Sequence, residues 1–251
     1  MSDVIVEARG LRKAFGGFYA VDGVDLKVRE GTIHALIGPN GAGKTTCFNL
    51  LSKFLQPTEG SIYLSGIDIS KFTPAEVARL GMVRSFQISA TFPTMTSLEN
   101  VRLALQRQRG ENYDFWIGRK VLRQYEQQAR ALLADVGLSE LVDTPANLLS
   151  YGHKRALELA TTLALDPRVM LLDEPTAGMM HADVDRIVAL IRRIRAGRTI
   201  IVVEHNLSVV AGLCDAVTVL TRGKVLTEGT YEAVSRDPAV ITAYLGSEDV
   251  H

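Results

Sequence analysis

No stretch of this 251-residue chain approaches the roughly 20 consecutive apolar residues that span a bilayer. The runs VMLLDE and TIIVVEHN are short and end in charge, so a membrane role would need a partner chain. Charge imbalance is also missing. With 28 basic and 28 acidic side chains the formal net charge is zero, so no global field draws the protein onto nucleic acid or an anionic bilayer. The opening MSDVIVEARG has an acid at Asp3 and no cationic segment followed by an apolar core, which predicts a cytoplasmic protein without a secretory signal. Cysteine is scarce: Cys47 and Cys214 fall in helix-like segments without metal-ligand spacing and read as reduced core thiols. Internal repeats and low-complexity tracts are absent from the sequence.

What is there fits one large α/β domain, or a domain with an inserted lobe. Strand-like runs VIVEA (4–8), VDLKV (24–28) and TIHALIG (32–38) are separated by glycine-rich turns. After Gly43 the pattern turns helical, and KTTCFNLLSKFL sets Phe48, Leu51 and Leu55 on one stripe before QPTEG breaks it. SIYLSGIDI predicts a strand pair, PAEVARLG a short helix, and MVRSF a strand ending at Gln87. From about Thr94 to Asp143, two helical stretches follow each other with no strand between, which predicts an inserted helical lobe. Alternation then resumes as helix KRALELATTLAL, strand RVMLLDE, helix ADVDRIVALIRRIR, strand RTIIVVEH, helix LSVVAGLC and strand AVTVLTRGKVLTEG. Continuous Val, Ile and Leu strands between helices mark a parallel sheet covered on both faces.

GPNGAGKTT comprises Gly38, Pro39, Asn40, Gly41, Ala42, Gly43, Lys44, Thr45 and Thr46. It lies after an apolar strand and before a helix, the context that G-x-x-x-x-G-K-[ST] requires. The glycines let backbone N–H groups converge on phosphate oxygens, Lys44 neutralises the β and γ phosphates, and the Thr45 hydroxyl suits Mg²⁺. A loop that merely turned the chain would need neither Lys nor Thr at those places. VMLLDEPT supplies a second element: Asp173 to reach the magnesium shell, and Glu174 where a carboxylate orients or deprotonates an attacking water.

A second anion-holding device follows far downstream. In LLSYGHKRALELA a Ser-x-Gly turn directly precedes an apolar-periodic helix. Alone it reads equally as an ordinary N-cap. Together with the Lys44 loop and the paired acids, however, the chain resembles the nucleotide-binding subunits of ABC transporters over essentially its whole length.

That resemblance implies a P-loop NTPase α/β core with a mainly parallel sheet, an N-terminal antiparallel β subdomain and an inserted helical subdomain. The core with its β subdomain would take residues 1–93 and 154–251, and the helical subdomain 94–153, ending in the signature. It implies that Ser150 and Gly152 face the γ-phosphate of ATP held by a second copy or a sister subunit. Tyr151 stands where a second glycine is common, and His153 where glutamine is usual. Gln87 matches a glutamine that touches metal and water, and His205 a switch histidine near the γ-phosphate and Glu174. Phe15 matches the aromatic residue that stacks on adenine, with core packing as its alternative. PTAGMMHAD resembles the dimer-contact loop, with Met179 and Met180 replacing its usual residues.

The implied activity is Mg²⁺-dependent ATP hydrolysis coupled to transport through separate membrane permease subunits. Phe92, Met95 and Leu98 in the lobe are candidate permease contacts or lobe core. FGGFYAVDGVDL and DPAVITAYLG are similar to the ATPases of branched-chain amino-acid importers, which also use a substrate-capture protein. An envelope-lipid exporter ATPase and a soluble ABC ATPase are the alternatives. A P-loop kinase would leave the Ser-Gly signature and the histidine strand unused.

Overall fold

The computed structural model describes residues 3–85, 91–108 and 119–245. Its backbone groups into two compact units. The first comprises Met1–Met82, Arg168–Glu174 and Arg195–His251, and the second Val83–Pro167 and Pro175–Ile194.

In the first unit, β1 (Val4–Phe15) and β2 (Phe18–Arg29) form an antiparallel hairpin paired as far as Phe15 and Phe18. Gly16 and Gly17 close it with φ of 53° and 87°, a two-residue turn whose twist matches that of the strands. Along β2, buried Val24, Leu26 and Val28 alternate with exposed Asp25, Lys27 and Arg29, the period of a strand with one wet face. β4 (Glu59–Leu64) and β5 (Ile67–Asp68) complete a four-stranded sheet in the order β2-β1-β4-β5. The α2 helix (Pro74–Arg79) starts in a capping box between Thr73 and Glu76.

The other sheet has the order β10-β9-β3-β8-β7-β6, built from β3 (Ile33–Ile37), β6 (Met82–Arg84), β7 (Val169–Asp173), β8 (Thr199–Val203), β9 (Ala216–Thr221) and β10 (Lys224–Gly229). Strands β9, β3, β8 and β7 are parallel, and every residue of IHALI and TIIVV is buried. Their unbroken apolar sequence is what burial on both faces selects. One polar chain crosses this core: Thr218 Oγ1 accepts from His34 Nε2 at 2.7 Å and donates to Glu228 Oε2 at 2.8 Å. Burial pushes the His34 imidazole pKa down against the opposing Glu228 charge, which keeps the ring neutral.

Helix α1 (Lys44–Leu51) seats Cys47, Phe48, Leu50 and Leu51 in a core shared with Leu11, Leu26, Ile62 and Leu171. Leu55 packs against the same cluster from beyond the helix end. The cysteines are inert here, since burial pushes both Cys47 and Cys214 thiols up to about 12. Helices α7 (Leu207–Leu213), α8 (Tyr231–Val234) and α9 (Pro238–Leu245) complete the unit.

One expectation is corrected. AVTVLTRGKVLTEG, read as one strand, is the antiparallel hairpin of β9 and β10. Arg222 and Gly223 turn it with φ of 47° and 78°, and the apolar run on either side masks the two-residue turn.

The second unit is helical: α3 (Ser97–Gln108), α4 (Arg119–Asp135), α5 (Tyr151–Leu163) and α6 (His181–Ile194). Val101, Leu105, Tyr125, Ala129, Leu133, Leu157 and Ala160 are buried in it. Asn100 ties down the preceding loop, accepting from the Phe92 N–H at 2.7 Å and donating to the carbonyls of Phe92, Met95 and Thr96. Of the candidate lobe contacts, Phe92 is exposed, Met95 half-buried and Leu98 buried. The expected strand end at Gln87 lies outside the described residues.

Phe48 is fully enclosed one turn into the helix that follows the glycine loop. Phe48→Ala is expected to lower unfolding stability by about 3–5 kcal/mol, read as a fall in the urea midpoint with unchanged slope. A shift within about 0.5 kcal/mol would show that the α1 core does not carry this load.

Candidate nucleotide site

Strand register sets the first part of the site. Leu36 of β3 and Asp173 of β7 both lie beside Val203 of β8. The segments leaving these strands, at Gly38, Glu174 and Glu204–His205, therefore emerge along one carboxyl edge. Open α/β sheets bind ligands at that edge.

The glycine loop is shaped by close backbone approach. A Cβ on Gly38, whose φ is 150°, would lie 2.1 Å from the Leu220 carbonyl oxygen. One on Gly43, at φ 96°, would lie 2.4 Å from the Ala20 carbonyl oxygen. The hairpin turn secures the loop as well, because the Gly223 N–H donates to the Ala42 carbonyl at 3.0 Å and the Asp22 N–H to the Gly223 carbonyl at 2.8 Å. Within the loop, the Ala42 N–H donates to the Pro39 carbonyl at 3.2 Å. Asn40, Gly41 and Thr45 are exposed, while Ala42 is buried.

Lys44 Nζ folds back over the loop and donates to the carbonyls of Gly38 at 2.6 Å and Pro39 at 2.9 Å. Burial pushes its pKa down, and the charge of Glu174 pushes it up. An ammonium partly stripped of water and held by two neutral carbonyls is a strong anion acceptor. The helix α1 N-terminus, reached through left-handed Gly43, adds its dipole.

At the end of β7, Glu174 has a φ of 44°. Its N–H donates to the Val203 carbonyl at 2.9 Å, which anchors the strained residue to β8. Glu174 Oε1 lies 4.0 Å from His205 Nδ1, and both side chains reach solvent. Glu204, which the sequence reading passed over, is buried and holds this turn, accepting from the backbone N–H groups of His205 at 3.2 Å and Asn206 at 3.4 Å. Asn206 caps α7 through the N–H groups of Ser208 and Val209. The Asp173 side chain is half-buried. Phe15 stands outside the core, 48% exposed at the tip of β1, with Lys13 Nζ 5.3 Å from its ring centre.

In the second unit Ser150 caps α5, its hydroxyl accepting from the His153 N–H at a long 3.4 Å. Gly152 packs against α6, where a Cβ would sit 3.1 Å from Asp183 Oδ1. His153 lines a cavity of ≈ 550 Å³ beside Gly152, Asp183 and Arg186. Gln87 lies outside the described residues.

The ABC transporter family model matches residues 21–177. The chain is an ATP-binding cassette of this family. A second model, described as a branched-chain amino acid ATP-binding cassette transporter, matches residues 224–250 of the cassette. Over 98% of its length the cassette is 40% identical to the high-affinity branched-chain amino acid transport ATP-binding protein BraF of Pseudomonas aeruginosa, covering 99% of that protein. It is 36% identical, at the same coverage, to the corresponding LivG protein of Escherichia coli. Among solved structures, the ADP conformation of the cassette MJ1267 superposes with a TM-score of 0.84 at 31% identity, over 98% of this chain and 100% of that one. A dimeric post-hydrolysis cassette structure bound to ADP and Pi gives 0.76 at 26% identity, over 90% and 99% of the two chains.

Gly38→Ala is expected to weaken Mg-ATP binding by about ten- to a hundredfold, the scale of one to three kcal/mol of backbone strain. Equilibrium titration reads this, and binding within twofold of the parent would contradict the close-approach argument.

Proposed function

We propose that this chain powers import of branched-chain or related amino acids as the ATP-hydrolysing subunit of a multi-chain transporter. The observation that carries the reading is the array at one sheet edge: the Lys44 loop after β3, the strained Glu174 after β7 and His205 after β8. The import branch rests on the similarity of residues 224–250 to the branched-chain amino acid cassette model and on the near full-length likeness to BraF and LivG.

In this reading the N–H groups of residues 41–46 and the Lys44 ammonium bind the β and γ phosphates, and Phe15 stacks on the adenine. The residues present suit magnesium: a hydroxyl at exposed Thr45 and a carboxylate at Asp173 are hard oxygen donors of the kind that ion takes beside phosphates. Gln87 joins that set by resemblance. When bound, the ion would offset charge on the β and γ oxygens. Glu174 takes the proton of the attacking water as its oxygen bonds to the γ-phosphorus and the bond to the β-phosphate oxygen breaks. His205 holds the γ-phosphate side of this arrangement.

Ser150 and Gly152 serve the ATP of a second cassette, another copy or a sister subunit. The Ser150 hydroxyl accepts from its own helix, so its proton is available to donate to a phosphate oxygen. Two ATP molecules thereby hold two cassettes together, and loss of γ-phosphate reopens them. No helix among the described residues is long and apolar enough to cross a membrane. In this reading force reaches the cargo through separate permease subunits, with the cassette peripheral at the cytoplasmic face, and a capture protein delivers the amino acid.

Glu174→Gln removes the proton acceptor and should lower turnover by at least about a hundredfold, while trapping an ATP-bound pair of cassettes. ATP retained by the assembly with its membrane subunits after gel filtration reads the trapping, and normal turnover would contradict the assignment. Ser150→Arg should leave ATP binding to the isolated chain intact yet abolish turnover of the assembly, so undiminished phosphate release would count against the trans role.

A further inference from the structure

Tyr151 stands in the signature turn where a second glycine is common. It does not project idly into solvent. Its hydroxyl donates to the Ala177 carbonyl at 2.9 Å, and its ring lies under the Arg155 guanidinium at 5.9 Å. Arg155 is itself fixed, since its Nη1 donates to Glu158 Oε2 at 2.9 Å and both side chains are over nine-tenths buried. Arg155 Nε and Glu158 Oε1 have no hydrogen-bond partner among the described residues. Such a pair tolerates little displacement, because separating it would strand two charges already short of partners. Tyr151 is thus clamped at both ends, by Arg155 on its own helix and by Ala177.

Ala177 belongs to the loop that begins immediately after Glu174, three residues away in sequence. Next to it, the Tyr151 hydroxyl stands 3.8 Å from the position of a Cβ on left-handed Gly178. Gly152 lies against Asp183, near the start of α6. The turn that presents Ser150 and the loop that leaves Glu174 therefore share one hydrogen bond and one packed seam.

We infer that Tyr151 is a positioning residue coupling the two ATP sites of the dimer, its hydroxyl tying the signature turn that serves the partner's nucleotide to the loop that leaves this chain's own Glu174. The inference rests on the trans reading of Ser150. When the signature turn docks on the partner's ATP, the tie moves Ala177 with it and so biases the backbone next to the base acting on the chain's own ATP. A tie that carries docking at one site to the backbone beside the other gives a coupling free energy between the sites, and the coupling is reciprocal for binding.

Tyr151→Phe removes the tie and leaves the ring over which Arg155 sits. Steady-state hydrolysis of Mg-ATP by the complete assembly, parent and variant, gives kcat, KM and the Hill coefficient. The parent Hill coefficient should approach the two-site ceiling of about 2 and the variant's should fall toward 1. A kcat drop of about fivefold, the scale of one net hydrogen bond, should accompany it. Ser150→Arg run in parallel separates the two layers. If it abolishes turnover while Tyr151→Phe keeps the parent Hill coefficient, whatever its kcat, the coupling is overturned and the trans reading stands. If Ser150→Arg turns over normally, both fall. A parent Hill coefficient of 1 also overturns the coupling.

Discussion

The triphosphate tail concentrates negative charge into so small a volume that only closely converging donors balance it, and this demand shapes the molecule. A loop that presents backbone N–H groups must itself be packed closely, and Gly38 and Gly43 admit the Leu220 and Ala20 carbonyls where a Cβ could not fit. In the proposed function Lys44 meets the phosphates, and it must be poised before they arrive. Holding it on two loop carbonyls achieves that without spending its charge on a carboxylate. Behind the loop, fully buried Phe48 and the turn at Gly223 fix the cradle to both sheets' connections, so the donors are preorganised rather than assembled on binding.

Hydrolysis adds a second demand, a carboxylate placed for the attacking water, and the proposed function gives that part to Glu174. Glu174 sits in a left-handed conformation that non-glycine residues avoid, and a hydrogen bond to β8 maintains it. His205 emerges from the same strand, steadied by buried Glu204. Both side chains reach solvent, which under the proposed function leaves room for a closing wall from a second cassette.

Much of this was legible in the sequence, for identifiable reasons. GPNGAGKTT carries its geometry in composition, since Gly38 and Gly43 answer close approaches, Gly41 a left-handed backbone, and a plain turn would need neither Lys nor Thr. The buried parallel strands declared themselves as unbroken apolar runs. The β9–β10 hairpin did not: Arg222–Gly223 is a two-residue turn inside a run of strand formers, and it proved to be what seats Ala42. Nor did Glu204 or the hydroxyl of Tyr151, whose partners are backbone groups that one-dimensional patterns leave unseen. His153, a departure from the expected signature, opens onto a cavity beside Asp183 and Arg186.

The central claim is that one cassette's Ser150 turn grips the nucleotide held by the other's Lys44 loop. A mixed assembly answers it directly, with one cassette carrying Lys44→Ala so that its own cradle is empty and the other intact, loaded with an ATP analogue bearing a photoreactive group on the γ-phosphate. The account predicts adducts on residues 149–153 of the Lys44→Ala chain. Adducts confined to the chain with the intact lysine would contradict it.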